Sequence, residues 1–233
     1  SGVLGIERVV KDARVLVGPV TVVAVEQHEE RVIPILVQPA DGGRNGVEEE
    51  GVTKFQAHHR HAPLQVDKLG DTWRDLLSWR RVLHDLSVVG QDPHRYDGAG
   101  YGNMSVRLHP FSYERGQLRF LITGTQTGKP ADLTVEELCV VETYDIKANS
   151  VRSFGEIAPS SESLTHGAIY DLNPNIRFVF HGHVPAIWNR AKALGLPTTA
   201  ANVEYGTQAM AFETSRLYRS TNLSESKCYT MGN

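Results

Sequence analysis

Cysteine is scarce: Cys139 and Cys228 are the two in 233 residues, too few and too far apart to frame a disulfide scaffold, so a reducing, cytoplasmic setting is expected. No apolar run reaches the roughly 18 residues of a membrane span, and no signal-peptide pattern opens the sequence, which speaks against both span and export. An excess of one charge is also lacking. With 24 Lys and Arg against 27 Asp and Glu, and no basic run, nothing marks a nucleic-acid partner. Histidine is absent after His183. What is present is an ordinary composition, 40% hydrophobic, sufficient for one substantial domain and an appendage.

The appendage is residues 1–50, a β-rich N-terminal extension and linker; the main domain is 51–233. Val15-Leu16-Val17, Val20 to Val25 and Val32 to Val37 are β-branched runs parted by Gly18-Pro19 and by a polar turn, which predicts two or three short strands. So small a piece has to pack on the main domain or on another subunit. Pro39 to Gly51 is expected to be an exposed linker. Ala57-His58-His59-Arg60-His61 has no apolar period and Pro63 follows closely, so it is expected to be a solvated or interface loop rather than a metal site. Asp71 then caps a helix whose apolar stripe is Trp73, Leu76, Leu77, Leu83 and Leu86, with Gly90 as its stop.

Chemistry concentrates between Pro159 and His183. The apolar run Ile176 to Phe180 predicts a buried strand, and residues two apart on a strand share a face. His181 and His183 can therefore aim two imidazoles into one cavity, where neutral rings suit a divalent cation such as zinc. Upstream, Ser160 or Ser161 can cap a helix, and the exposed N–H groups of a helix start also bind anions. Glu162 and His166 lie four apart on that helix and share a face. The competing expectation for Glu162 is a solvated first-turn acid favoured by the helix dipole.

Two glycine-rich stretches invite nucleotide readings and exclude them. Gly98, Gly100 and Gly102 lack the dinucleotide spacing, and Asn103 to Leu108 alternates like a strand instead of opening a helix. Gly124 and Gly128 stand too close together for a phosphate loop, and Pro130 occupies the place of its Ser or Thr. A strand over Leu118 to Thr123 followed by a Gly/Thr turn still gathers donors for an anion. Farther on, Leu133 to Val141 is expected to be a short helix or turn, with Thr143 to Ile146 a strand and Val151-Arg152 its partner. Pro185 starts a helix through Leu194, Thr207 to Tyr218 forms an amphipathic one, and Lys227 to Met231 a last strand. Tyr205 can line the pocket, but a core or turn position is the expectation.

Gly102-Asn103-Met104-Ser105, then Leu121 to Gly128, then Pro159-Ser160-Ser161-Glu162, then His181-Gly182-His183 resemble, in that order, the motifs of the class II aldolase/adducin family, from about Trp73 to the C-terminus. The resemblance implies an αβα fold of the α/β class, a central, mostly antiparallel sheet flanked by helices. It implies a metal-dependent lyase that makes or breaks a carbon–carbon bond in a small ketose or sugar-phosphate-like substrate through a metal-stabilised enediolate. A dehydratase or a 4-epimerase acting on a sugar phosphate uses the same chemistry, and a non-catalytic adducin-like scaffold keeps the fold without it.

Under that resemblance Glu162 is the catalytic acid/base, made ready either by burial that raises its pKa or by displacement from the metal when substrate binds. His181 and His183 hold Zn2+ or another divalent metal. Asn103, Thr127, Gly128, Ser160 and Ser161 position a phosphate or other anionic tail. The family's turn is typically Thr-Pro-Ser-Gly, and here Thr125-Gln126-Thr127-Gly128 stands in its place, which changes the pocket. The family's third metal histidine lies well downstream of the first two, and Met231-Gly232-Asn233 resembles the lead-in to it, so that ligand is expected beyond Asn233. The partners implied are a small carbonyl or sugar-phosphate substrate and further copies of the chain, a tetramer in the family's arrangement, with no nucleic acid and no membrane.

Overall fold

The computed structural model describes residues 13–16, 22–25, 35–37, 53–111 and 114–232. They form β1 (Ala13–Leu16), β2 (Val22–Val25), β3 (Ile35–Val37) and β4 (Gln56–His61), then helix α1 (Thr72–Asp85). The short strands β5 (Gly90–Gln91) and β6 (Gly100–Tyr101) precede β7 (Asn103–Arg107), β8 (Phe120–Thr123), β9 (Leu138–Asp145) and β10 (Ser150–Gly155). Helix α2 (Ser163–Tyr170), β11 (Phe178–Gly182), the single turn α3 (Pro185–Trp188), helices α4 (Gln208–Ser220) and α5 (Leu223–Ser226) and β12 (Cys228–Thr230) follow.

Eight of these strands form one sheet in the order β12-β3-β11-β7-β8-β9-β10-β4. From β11 to β10 every pairing is antiparallel, whereas β12–β3, β3–β11 and β10–β4 are parallel. The expectation of a mostly antiparallel sheet is corrected accordingly: the sheet is mixed, antiparallel at its centre and parallel at both margins. Connection length accounts for the difference. The turn 146–149 can join β9 and β10 only as an antiparallel hairpin, while strands that arrive from distant parts of the chain are free to add in parallel.

Strand periodicity sorts the core into two layers. Leu121, Leu138, Val140, Phe178 and Phe180 face one cluster with Leu76, Trp79 and Leu83 of α1. Their alternates Phe120, Ile122, Cys139, Val141 and Val179 face the other, with Leu164, Ile169 and Tyr170 of α2 and Met210 and Leu217 of α4. The result is helix, sheet, helix, as α/β packing requires when both sheet faces are apolar. β7 follows the same rule, with Met104 and Val106 on the α1 side.

Several local expectations change. The stripe of α1 runs through Leu76, Trp79, Arg80 and Leu83; Leu86 is exposed and Gly90 belongs to β5. The histidine-rich stretch is strand β4, not a loop; as the marginal strand it pairs on one side, with β10, and its side chains need no apolar alternation. Leu138 to Val141 belongs to β9, because Thr134 and Glu137 close a capping box around one short turn before it. The Pro185 helix stops at Trp188. In the N-terminal segment β1 and β2 pair with each other, while β3 is inserted in the main sheet between β11 and β12. The expected linker from Pro39 to Gly51 and the chain end at Asn233 lie outside the described residues.

Candidate active site

The site forms where the ends of β7, β8 and β11 meet the start of α2. In the antiparallel ladder Asn103 is the direct partner of His181, which puts both side chains on the α2 side of the sheet. The chain leaves β11 with the His183 amide donating to the Val88 carbonyl at 2.8 Å. Gly102, at φ +74°, takes a left-handed turn into β7, and a Cβ there would lie 2.9 Å from the His181 carbonyl. Gly124 bridges to Pro159 and the Thr125 amide donates to the Ala158 carbonyl at 2.9 Å, so the Gly/Thr turn after β8 is laid against the segment that opens α2.

That segment differs from the expected capped helix. Glu162 itself holds the cap position of α2, and Ser160 Oγ accepts the Glu162 amide at 3.3 Å. Every residue of α2 is buried and Glu162 is 2% exposed, so Glu162 is not a solvated first-turn acid. The Thr127 hydroxyl donates to the Gly124 carbonyl at 2.9 Å and closes the turn on itself, with Gln126 in a left-handed conformation at φ 56°.

All eight residues expected at the site line a single cavity: Asn103, Thr127, Gly128, Ser160, Ser161, Glu162, His181 and His183, around about 50 Å³ of open space. Tyr205 lines it too, while standing in a turn and buried in the core as expected. Both histidines are almost fully buried and their ring centroids are 5.0 Å apart. Burial pushes the His181 imidazole down to about 4, and burial, then His181 and Arg95, hold His183 well below the ordinary histidine value. Both rings are therefore neutral at pH 7, with a lone pair on one nitrogen.

Asn103 meets Nδ1 of His181 at 3.1 Å with the amide set so that Nδ2 faces the ring. An amide can meet a ring nitrogen in two ways. As donor, Nδ2 places the ring proton on Nε2; as acceptor, Oδ1 places it on Nδ1 and leaves a lone pair on Nε2, the form that a cation needs. Around His183, Tyr96 packs edge-on at 4.6 Å and Tyr101 at 5.3 Å between centroids. Arg95 ties the group together, donating to the Tyr101 hydroxyl at 3.0 Å and to the His183 carbonyl at 3.3 Å. Beneath the cavity His166 is fully buried, its Nδ1 2.7 Å from the Ser105 hydroxyl, which is 2.8 Å from the Tyr170 hydroxyl. His166 is thus built into a polar network under the sheet.

The donor set fits a divalent cation in kind and in part. His183 Nδ1 is buried and makes no hydrogen bond within the described structure, as befits a ring nitrogen reserved for another partner. Catalytic zinc usually takes about three protein ligands. Among the described residues no group of three or more His, Cys, Asp or Glu side chains is assembled for a metal, so His181 and His183 stand as a pair.

Sequence reasoning placed Gln126 at the pocket but passed over Tyr101 as a lining residue, and Arg80, Arg95 and Tyr96 as supports behind the wall. Their roles depend on which distant segments meet, and no local pattern signals that. Compared with known protein families, residues 92–221 match the class II aldolase and adducin N-terminal domain. Among curated proteins none matches the chain.

Proposed function

The chain belongs to the class II aldolase and adducin family, and on that premise we propose that it is a metal-dependent lyase of the aldolase type. It makes or breaks a carbon–carbon bond in a small ketose or sugar-phosphate-like substrate. The observation that carries this reading is the meeting of a buried carboxylate, Glu162, with two buried neutral imidazoles, His181 and His183, in one cavity. A purely structural cavity has no use for three such groups, since each is costly to bury.

His181 and His183 would hold the cation, Zn2+ or another divalent ion, with Asn103 setting the tautomer of His181. When bound, the cation supplies Lewis-acid stabilisation of charge that develops on substrate oxygens. Glu162 moves the proton at the carbon next to the carbonyl, in a site where few waters compete. Thr127, Gly128, Ser160, Ser161 and Asn103 receive the anionic tail through hydroxyl, amide and backbone donors. Epimerase and dehydratase chemistry would use the same proton transfer.

One observation favours a second reading, the adducin-like scaffold: the described residues supply two metal ligands where catalytic zinc usually takes about three. The two readings part at Glu162. Glu162→Gln should keep zinc affinity while turnover on sugar phosphates, followed by solvent-deuterium incorporation, falls about 10²- to 10⁴-fold. Undiminished exchange in Glu162→Gln would remove the assigned base.

A further inference from the structure

The cavity is asked to hold an anion, yet among the described residues no lysine or arginine lines it. A positive charge lies directly behind its wall. Arg80, on the sheet-facing stripe of α1, is 3% exposed. It donates to the carbonyls of Thr127 at 3.0 Å, Gly128 at 3.0 Å and Ala131 at 2.8 Å. Two of those three carbonyls belong to residues that line the cavity.

Arg80 has no carboxylate of its own among the described residues. Of the nearby acids, Asp85 and Asp132 are taken by Arg81, at 3.0 and 2.7 Å, and Glu137 by the amide and hydroxyl of Thr134, at 2.6 and 3.1 Å. A guanidinium buried without an ion pair is costly unless its donors and its charge are both satisfied. The carbonyls engage both terminal nitrogens. Glu137, Asp132 and Asp85 offset the charge without contacting it, and burial still outweighs them, so an anion across the turn would stabilise it further.

Covalent geometry says what the clamp does to the turn. In a trans peptide the N–H lies opposite the C=O. With the Thr127 and Gly128 carbonyls held by Arg80, the N–H groups of Gly128 and Lys129 are directed away from the guanidinium. Close packing fixes the turn further: a Cβ on Gly128 would come within 2.3 Å of the Gly90 carbonyl oxygen. The turn is therefore held from the α1 side by a cation and from the hairpin side by backbone.

We infer, building on the function proposed above, that Arg80 is the positioning residue of the anion subsite. It orders the turn 124–128 with amides toward the cavity and supplies, through that turn, the countercharge for a phosphate or carboxylate tail. Burial lowers the Arg80 guanidinium to about 10, Glu137 and Asp132 opposing the shift, so the charge persists at neutral pH.

The test is calorimetric titration of inorganic phosphate into the wild-type chain, Arg80→Lys and Arg80→Gln, with thermal unfolding recorded for each. Phosphate affinity should fall about tenfold or more in Arg80→Gln, with partial rescue in Arg80→Lys, and zinc affinity should hold in both. Equal phosphate affinity in folded variants would overturn the role of Arg80 and leave the anion subsite standing. A wild-type chain that binds no phosphate would overturn the subsite and this inference together. Should the variants fail to fold, the 15N resonances of the Arg80 guanidinium in the wild type decide: they must shift on adding phosphate, and unmoved resonances would refute the coupling.

Discussion

Asn103 stands between the two tasks proposed for the cavity, beside the proposed anion donors and 3.1 Å from a ring nitrogen of His181. If its amide oxygen holds a proton on Nδ1, Asn103→Asp keeps that acceptor and should bind zinc much as the wild type does. Asn103→Leu removes it, and zinc affinity should fall about 10- to 100-fold in a chelator competition. Equal affinity in the leucine variant would deny Asn103 this role. Cys139 gives a prediction about pH. Burial pushes its thiol up to about 12, so the folded chain keeps its proton where an unfolded chain already loses it. The native state then binds more protons between the ordinary thiol value near 9.0 and about 12, and stability should decline as pH rises through that window. Alkylation at pH 8 should reach Cys139 only after unfolding; fast labelling of native protein would contradict the burial argument.

At the scale of elements, α1 both closes one face of the sheet and carries Arg80 to the turn proposed to hold the anion. Leu76 is fully buried in the layer between α1 and the sheet. Leu76→Ala should cost about 2–5 kcal/mol, read from denaturant unfolding, and should weaken phosphate binding in step as α1 loosens. A loss below about 1 kcal/mol would mean that α1 packs less firmly than its burial implies. The helix was legible in the sequence because Leu76 and Leu83 repeat at the helical period, whereas the part played by Arg80 was not. An arginine on an otherwise apolar stripe looks like a register error until the carbonyls that it holds, about fifty residues away, are known. Strand β11 was legible for the opposite reason: an apolar run ending in His181-Gly182-His183 carries its meaning locally.

Taken whole, the molecule is a mixed sheet covered on both faces, with the candidate site at one end of its central strands. The helix, sheet, helix layering could be expected from two-sided apolar strands such as Phe120 to Thr123. The parallel margins could not, because the seating of β3 beside β11 is a non-local choice that three residues, Ile35–Val37, do not announce. The same sheet places Asn103 opposite His181, so the pairing that builds the core also seats Asn103 against one of the two candidate metal ligands. No helix among the described residues is long and apolar enough to cross a membrane. The central claim is that His181 and His183 bind a catalytic cation next to Glu162, and a zinc titration of the wild type, His181→Ala and Glu162→Gln tests it most directly. The account predicts zinc binding by the wild type and Glu162→Gln and its loss in His181→Ala; equal affinity in all three, or none in any, would contradict it.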